Sequence, residues 1–89
     1  MAFNPQNLSV IAYANGFTLW HYTTTDLATT VDSSGYFNSA AGMLRLGDMI
    51  FANVATAGTP GAGVFYVRAN SAAIVDVSNM TPFGDTNTD

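Results

Sequence analysis

The stretch Gly16-Phe17-Thr18-Leu19-Trp20-His21-Tyr22-Thr23-Thr24 contains the only tryptophan, the only histidine and one of the four tyrosines of the chain. Its residues are mostly aromatic, β-branched or apolar, a composition that favours a strand. Asn15-Gly16 is the strongest short signal for a β-hairpin, because both residues tolerate positive φ. The loosely alternating segment 8–14 before this turn predicts a first strand. Together they predict an antiparallel hairpin around which the rest of the chain is organised.

Both faces of the predicted strand carry aromatic side chains. One face has Phe17, Leu19, His21 and Thr23, and the other has Thr18, Trp20, Tyr22 and Thr24. A strand with one face in water would alternate apolar and polar residues. We therefore expect both faces to be covered, one by the core of the domain and the other by a subunit or a partner.

Turn-forming residues divide the rest of the chain into short apolar segments. We predict strands at 27–31, 49–54, 64–68 and 73–77, with turns at Asp32–Gly35 and Asn70-Ser71. Thr25-Asp26 can alternatively start a helical turn, and Asn38 or Ser39 can cap a brief helix over 40–44. The prediction is an all-β fold, a small barrel or sandwich of about six short strands with at most one short helix. Residues 1–7 are predicted as an N-terminal arm, 8–78 as the β domain and 79–89 as a C-terminal tail.

The composition points to subunit contacts. A monomer of 89 residues buries only a little over roughly 60% of its unfolded surface, so its core needs reinforcement. The chain has no cysteine, which excludes disulfides, and its single histidine cannot build a histidine-rich metal site. Charged residues make up 9% of the chain, against about 25% in a typical soluble domain. Oligomerisation is the stabilising device that remains.

The charges also exclude classes of partner. Arg45 and Arg68 are the only cations, and the net charge is −4, whereas phosphate contacts need clustered Lys and Arg. We therefore expect no nucleic-acid binding. The apolar runs are far shorter than the roughly 20 residues that span a bilayer, so no membrane association is expected. The N-terminus has neither the basic nor the apolar region of a secretory signal.

No motif for catalysis or for a cofactor is present. His21 lies within an aromatic strand without a nucleophile motif elsewhere, so we interpret it as a structural histidine. The acids Asp26, Asp32, Asp48 and Asp85 lie beside turns or glycines and are interpreted as turn or cap residues. The glycine-rich segment 58–63 lacks the lysine of a phosphate-binding loop. We predict no catalytic, cofactor-binding or metal residue, and we expect Arg68 to pair with Asp76, either within the domain or between subunits.

Three motifs resemble small structural proteins of tailed bacteriophages and prophages, encoded with the capsid genes. They are L-W-H-Y-T-T at 19–24, G-Y-F-N at 35–38 and L-x-x-G-D-x-I at 44–50. The resemblance covers roughly residues 8–78. It implies a capsid decoration or cement protein, which is β-rich, often trimeric and without a reaction centre. It implies the major capsid protein as partner, a homo-oligomer (trimer), synthesis in the host cytoplasm and a final location on the capsid surface of the virion.

The residues predicted to contact a subunit or the capsid are Phe3, Pro5, Leu8, Trp20 and Tyr22. Phe3 is the lone aromatic of the arm and can either tuck into its own domain or dock on a neighbour. One alternative is a head-fibre or tail-fibre module that binds a host surface glycan through Trp20 or Tyr22. Another is a small enzyme or inhibitor that acts in the host cell.

Overall fold

A computed structural model describes residues 3–84 of the chain. The strands are β1 (Leu8–Ala14), β2 (Phe17–Thr23), β3 (Met49–Val54), β4 (Gly61–Ser71), β5 (Ile74–Val77) and β6 (Thr81–Pro82). The helical elements are α1 (Ala28–Val31) and two single 3-10 turns, Pro5–Asn7 and Asn38–Ala40. Strands make up 45% of the structure, and all six belong to one sheet. The predicted all-β class, with about six strands and one short helix, is confirmed.

The sheet is open and has the strand order β1-β2-β3-β4-β5, with β6 also paired to β4. All pairs are antiparallel except β2 and β3, which are parallel. Parallel neighbours need a crossover connection, and residues 24–48 supply it. Val31, Phe37 and Leu44 of this crossover are fully or almost fully buried. The crossover is therefore the second layer of the domain and closes one side of the sheet.

The register of the strands defines two faces. The covered face, which packs under the crossover, includes Trp20, Ile50 and Phe65 in one cross-strand row and Tyr22, Ala52 and Gly63 in the next. The open face, on the other side, includes Leu19, Met49 and Tyr66 in one row and His21, Phe51 and Val64 in the next. Ile50, Phe65 and Tyr22 are 0% exposed, whereas Met49 and Tyr66 are exposed. The core of the domain thus lies on one side of the sheet only.

Two local predictions for the crossover were wrong. Residues 27–31 were predicted as a strand, but Ala28–Val31 is a helical turn, and Leu27 O accepts the backbone N–H of Thr30 and Val31. The tight turn buries Val31 completely, so tertiary packing overrides the β-propensity of Thr and Val. The helix predicted over 40–44 is reduced to the 3-10 turn Asn38–Ala40. Asn38 does not cap it, because its side-chain oxygen accepts the N–H of Val75 at 2.9 Å.

The two tight hairpin turns differ in how well the sequence signals them. The turn predicted at Asn15-Gly16 is confirmed, with Gly16 at φ 95°. The turn predicted at Asn70-Ser71 instead lies at Ala72 and Ala73, both with positive φ (54° and 64°). Alanine pays a steric cost in this region, so this hairpin is imposed by the pairing of β4 with β5 and not by its turn residues.

Both chain ends of the described region pack onto the domain. Phe3 and Leu8 lie against the core, and the exposed Pro5 starts the 3-10 turn between them. Strand β6 falls within the segment predicted as a tail, and residues 1–2 and 85–89 of the predicted arm and tail lie outside the described residues. A Cβ at Gly63 would lie 2.4 Å from the carbonyl oxygen of Thr81. Only glycine therefore allows β6 to approach β4 this closely.

Candidate functional site

Four aromatic rings form a cluster under the covered face. Phe3 lies 5.4 Å from Tyr22, 6.2 Å from Tyr36 and 5.2 Å from Phe37 between ring centroids. Phe37 in turn lies 5.4 Å from Tyr22 and 5.0 Å from Tyr36. Most of these pairs meet edge to face, the arrangement that the ring quadrupoles favour. Phe3 therefore tucks into its own domain and ties the start of the chain to the crossover.

The hydroxyl groups of this cluster form a directed chain of hydrogen bonds. The backbone N–H of Asn4 donates to the Tyr22 hydroxyl at 3.1 Å, and the hydroxyls of Tyr22 and Tyr36 lie 2.9 Å apart. Tyr36 donates to Oδ2 of the buried Asp26 at 2.6 Å. Since Tyr22 accepts from Asn4 while Tyr36 donates to Asp26, the bond between the two tyrosines runs from Tyr22 to Tyr36. These hydrogen bonds fix the arm to the crossover through the backbone N–H of Asn4.

This environment raises the pKa of Tyr36 far above its ordinary value of about 10. Desolvation by burial is the largest cause, followed by the hydrogen bonds to Asp26 and Tyr22. Oδ1 of Asp26 is buried and has no hydrogen-bond partner among residues 3–84. The pair therefore keeps a neutral phenol beside a carboxyl group, and both groups serve to hold the crossover in place.

A second buried carboxyl group, Asp48, is fully bonded. Its Oδ1 accepts the backbone N–H of Thr18 at 2.9 Å. Its Oδ2 accepts the indole N–H of Trp20 at 3.1 Å and the backbone N–H of Arg45 at 3.0 Å. Asp48 is 1% exposed, and it precedes β3 where the parallel pairing with β2 begins. The carboxylate thus joins the end of the crossover to β2, which agrees with its interpretation as a turn residue.

The structure changes the assignment of the predicted contact residues. Tyr22 is 0% exposed and belongs to the core, so its side chain is not available at the surface of the folded chain. Trp20 is half-buried on the same face, and its N–H is already bonded to Asp48. Phe3 and Leu8 are half-buried against the core, and Pro5 alone is exposed. The face chosen from the sequence as a contact is the covered face.

Three exposed large apolar residues, Met49, Tyr66 and Phe83, lie on or beside the open face. The rows that contain Leu19 and His21 on β2 continue through β3 to Tyr66 and Val64 on β4. The ring of Phe83 lies edge-on to Phe51, with centroids 5.7 Å apart. These side chains carry no formal charge apart from the titratable His21. The open face is therefore a largely apolar surface that Phe83 partly covers, with the Arg68–Asp76 ion pair on its β4–β5 side.

A shallow cavity of about 450 Å³ adjoins this face beside Phe83. It is lined by Asn53, Pro60, Ala62, Met80, Pro82 and neighbouring glycines. No lining residue is charged, and the cavity is continuous with the ring of Phe83. It extends the apolar surface instead of forming a separate polar site.

The sequence interpretation also missed the exposed side chains of β1. Val10, Ile11 and Tyr13 are all more than half exposed, and Tyr13 is 81% exposed. The signal that could have identified them is the complete absence of charged residues from the first 25 positions. An outer strand without charges is uncommon because it invites pairing.

The remaining polar groups form local pairs. His21 Nε2 lies 3.0 Å from the side-chain nitrogen of Asn53. Arg68 donates to Asp76 at 2.6 Å, so the predicted pair is confirmed within the chain. Among residues 3–84, no group of three or more His, Asp or Glu side chains converges on a point that could hold a metal ion. What these residues offer to a partner is mainly surface for protein contact.

Comparison with known proteins gives no match to a family model, a curated protein or a solved structure. Within the described residues, no helix has both the length and the apolar character to cross a membrane. The likeness to phage head proteins rests on the sequence motifs alone.

Proposed function

We propose that the protein is a non-enzymatic structural protein of a tailed-phage head that decorates and cements the capsid shell. Its partner is the major capsid protein, its final location is the capsid surface, and it is synthesised in the host cytoplasm. It acts as a homo-oligomer. The motifs at 19–24, 35–38 and 44–50 support the assignment to phage heads.

The observation that carries the contact role is the open face. An apolar and nearly uncharged surface is typical of protein interaction sites. The rows around Phe51 and Tyr66 present such a surface on the open side of the sheet. The face of a sheet suits docking onto a shell, because the contact needs area and not a deep pocket. We therefore propose the open face as the surface that lies on the capsid.

The role of the polar residues supports a function without catalysis. Asp48 is saturated by three donors, and Asp26 is bonded to Tyr36 inside the domain. His21 is paired with Asn53 on the open face, and no carboxylate or hydroxyl group within residues 3–84 is bonded to it. These groups are used to hold the fold together.

The glycan-binding alternative loses the residues on which it depended. Tyr22 is in the core and Trp20 is half-buried with its N–H bonded. A sugar platform needs an exposed aromatic face, which neither ring offers. The aromatic side chains that are exposed, Tyr13, Tyr66 and Phe83, are not the ones on which that alternative rested.

The test is cosedimentation of the purified protein with empty heads assembled from the capsid protein encoded beside it. We expect stable binding, and we expect Tyr66→Lys to abolish it. Tyr66 is 45% exposed on the open face, and Leu46, which is 64% exposed on the crossover, provides the control Leu46→Lys. Absence of wild-type binding would refute the capsid role. Binding that survives Tyr66→Lys and fails with Leu46→Lys would refute the assignment to the open face.

A further inference from the structure

We propose that the free edge of β1 pairs with β1 of a second copy of this chain, antiparallel and about a two-fold axis. The pairing would continue the sheet across two subunits. It concerns a surface distinct from the open face, and it does not depend on the proposed capsid role.

The first support is the open hydrogen-bonding edge. Strand β1 (Leu8–Ala14) is at one end of the sheet and pairs only with β2. Along its other side, the structure of residues 3–84 places no strand. The backbone N–H and C=O groups that point to this side match another extended strand in spacing and direction. Another β-strand can bond to these backbone groups, so we expect a strand to occupy the edge.

The second support is the lack of charged or proline protection. Protected edges carry lysine, proline, inward-pointing charges or β-bulges, and β1 has no charge and no proline. Its one protective irregularity is the register shift between Val10 and Ala12. Val10, Ile11 and Tyr13 are exposed on this strand of seven residues. The opposite edge differs, since β5 is four residues long and bears the Arg68–Asp76 ion pair at its side.

The distribution of charge identifies the occupant as a second copy. The six acids are Asp26, Asp32, Asp48, Asp76, Asp85 and Asp89, and both cations also follow residue 25. Strands β1 and β2 therefore carry no charge in a chain with a net charge of −4. Two copies that meet at β1 keep their carboxylates away from the contact and avoid like-charge repulsion.

Two-fold symmetry also satisfies the side chains. In an isologous contact the same patch occurs on both sides and must complement itself. The exposed residues of β1 are apolar, so each finds apolar partners in the symmetric strand. The long β1 and the short β5 match poorly in length, which disfavours a head-to-tail ring. The two-fold pair thus replaces the trimer expected from the resemblance with a dimer.

The primary measurement is the molar mass in solution, by light scattering over a series of protein concentrations and without capsids. For a chain of 9.4 kDa we expect a species of twice that mass, 18.8 kDa. A monomer at every concentration, or a trimer, would overturn the inference. Neither result would bear on binding to heads, which is tested separately by cosedimentation.

Matched isoleucines on the two edges locate the contact. Ile11 on β1 is 51% exposed, and Ile74 on β5 is 52% exposed. We expect Ile11→Lys to give a monomer, while Ile74→Lys stays a dimer. Tyr13→Lys is the second variant, because the 81% exposed Tyr13 side chain contributes little packing within the chain. Dissociation by Ile74→Lys with retention by both β1 variants would refute the assignment to β1.

Amide hydrogen exchange distinguishes strand pairing from contact through side chains only. In the wild type, exchange of the β1 amides directed away from β2 should slow as the protein concentration rises. In Ile11→Lys and Tyr13→Lys these amides should exchange fast at all concentrations. Fast exchange of these amides in a wild-type dimer would show that the two copies meet elsewhere.

Discussion

The covered and open faces of the sheet are built from alternate residues of the same strands, yet they differ in how their side chains are held: by hydrogen bonds to the crossover on one face and by apolar contacts on the other. On the covered face, polar groups of β2 are matched to specific partners, as the Tyr22 hydroxyl is to Tyr36 and the Trp20 indole to Asp48. On the open face, side chains such as Leu19 and Phe51 make apolar contacts and stay partly exposed. The difference separates residues that determine stability from residues available to partners.

The reason lies in the crossover. Because β2 and β3 are parallel, residues 24–48 must pass over one side of the sheet, and they bring Asp26, Tyr36 and Asp48 with them. Buried polar groups cost free energy unless they are bonded. Hydrogen bonds to the crossover therefore fix the polar side chains of the covered face, whereas the character of the open face depends on which side chains are exposed there. Substitutions on the two faces should have separable effects.

The largest expected effect is that of Asp48→Ala on the covered face. It leaves the N–H groups of Thr18, Trp20 and Arg45 without their acceptor. We expect a loss of about 3–5 kcal/mol in the free energy of unfolding, since each unsatisfied buried group costs about 1–3 kcal/mol. Urea denaturation measures it. Asp48→Asn retains one acceptor oxygen and should fall between the wild type and Asp48→Ala. Equal stabilities of all three proteins would contradict the role given to this carboxylate.

Neighbouring residues of β2 provide the direct test of the two faces. Trp20→Ala on the covered face should cost about 2–3 kcal/mol, because a half-buried Trp contributes less than the 3–5 kcal/mol of a fully buried one. Leu19→Ala on the open face should cost about 1 kcal/mol. Thermal and urea unfolding of both variants give the comparison. If Leu19→Ala were the more destabilising of the two, the open face would be part of the core.

The smallest expected effect is a dependence on alkaline pH. The pKa of Tyr36 is raised in the folded state by burial and by Asp26, so the unfolded chain loses this proton first as the pH rises. The stabilisation is complete below the ordinary tyrosine pKa of about 10 and decreases above it. We expect the free energy of unfolding to fall above that pH, with a shallower slope in Tyr36→Phe. A slope in Tyr36→Phe equal to that of the wild type would contradict the role given to this phenol.

Much of the strand content follows from local sequence. The predicted strand 8–14 matches β1, and 49–54 matches β3. Asn15-Gly16 produces its hairpin because Gly16 adopts positive φ without steric cost. The ion pair of Arg68 and Asp76 follows from the proximity of two adjacent strands. These features depend on near neighbours in the chain, which sequence patterns describe well.

The contact surface was less accessible to sequence reasoning. Trp20 and Tyr22 were chosen as contacts because they are large and aromatic, but the same property makes them good core residues. The residues proposed in their place are Ile11 and Tyr13 on the edge and Tyr66 on the open face. Ile11 and Tyr13 are exposed on the end strand of the sheet, and Tyr66 is exposed because the crossover covers the other face. Periodicity separates the two faces of β2, and it does not say which face the crossover covers.

The sequence by itself determined the all-β class, the first hairpin and the uncharged character of residues 1–25. Each of these follows from residue type or short spacing. Tertiary structure alone decided the parallel pairing of β2 with β3, the helical turn at Ala28–Val31 and the Ala72–Ala73 turn. The physical reason for the first two is that the crossover packs through contacts between residues far apart in the chain, and its burial on one face of the sheet outweighs the local propensity of residues 28–31. The Ala72–Ala73 turn is imposed by the pairing of β4 with β5.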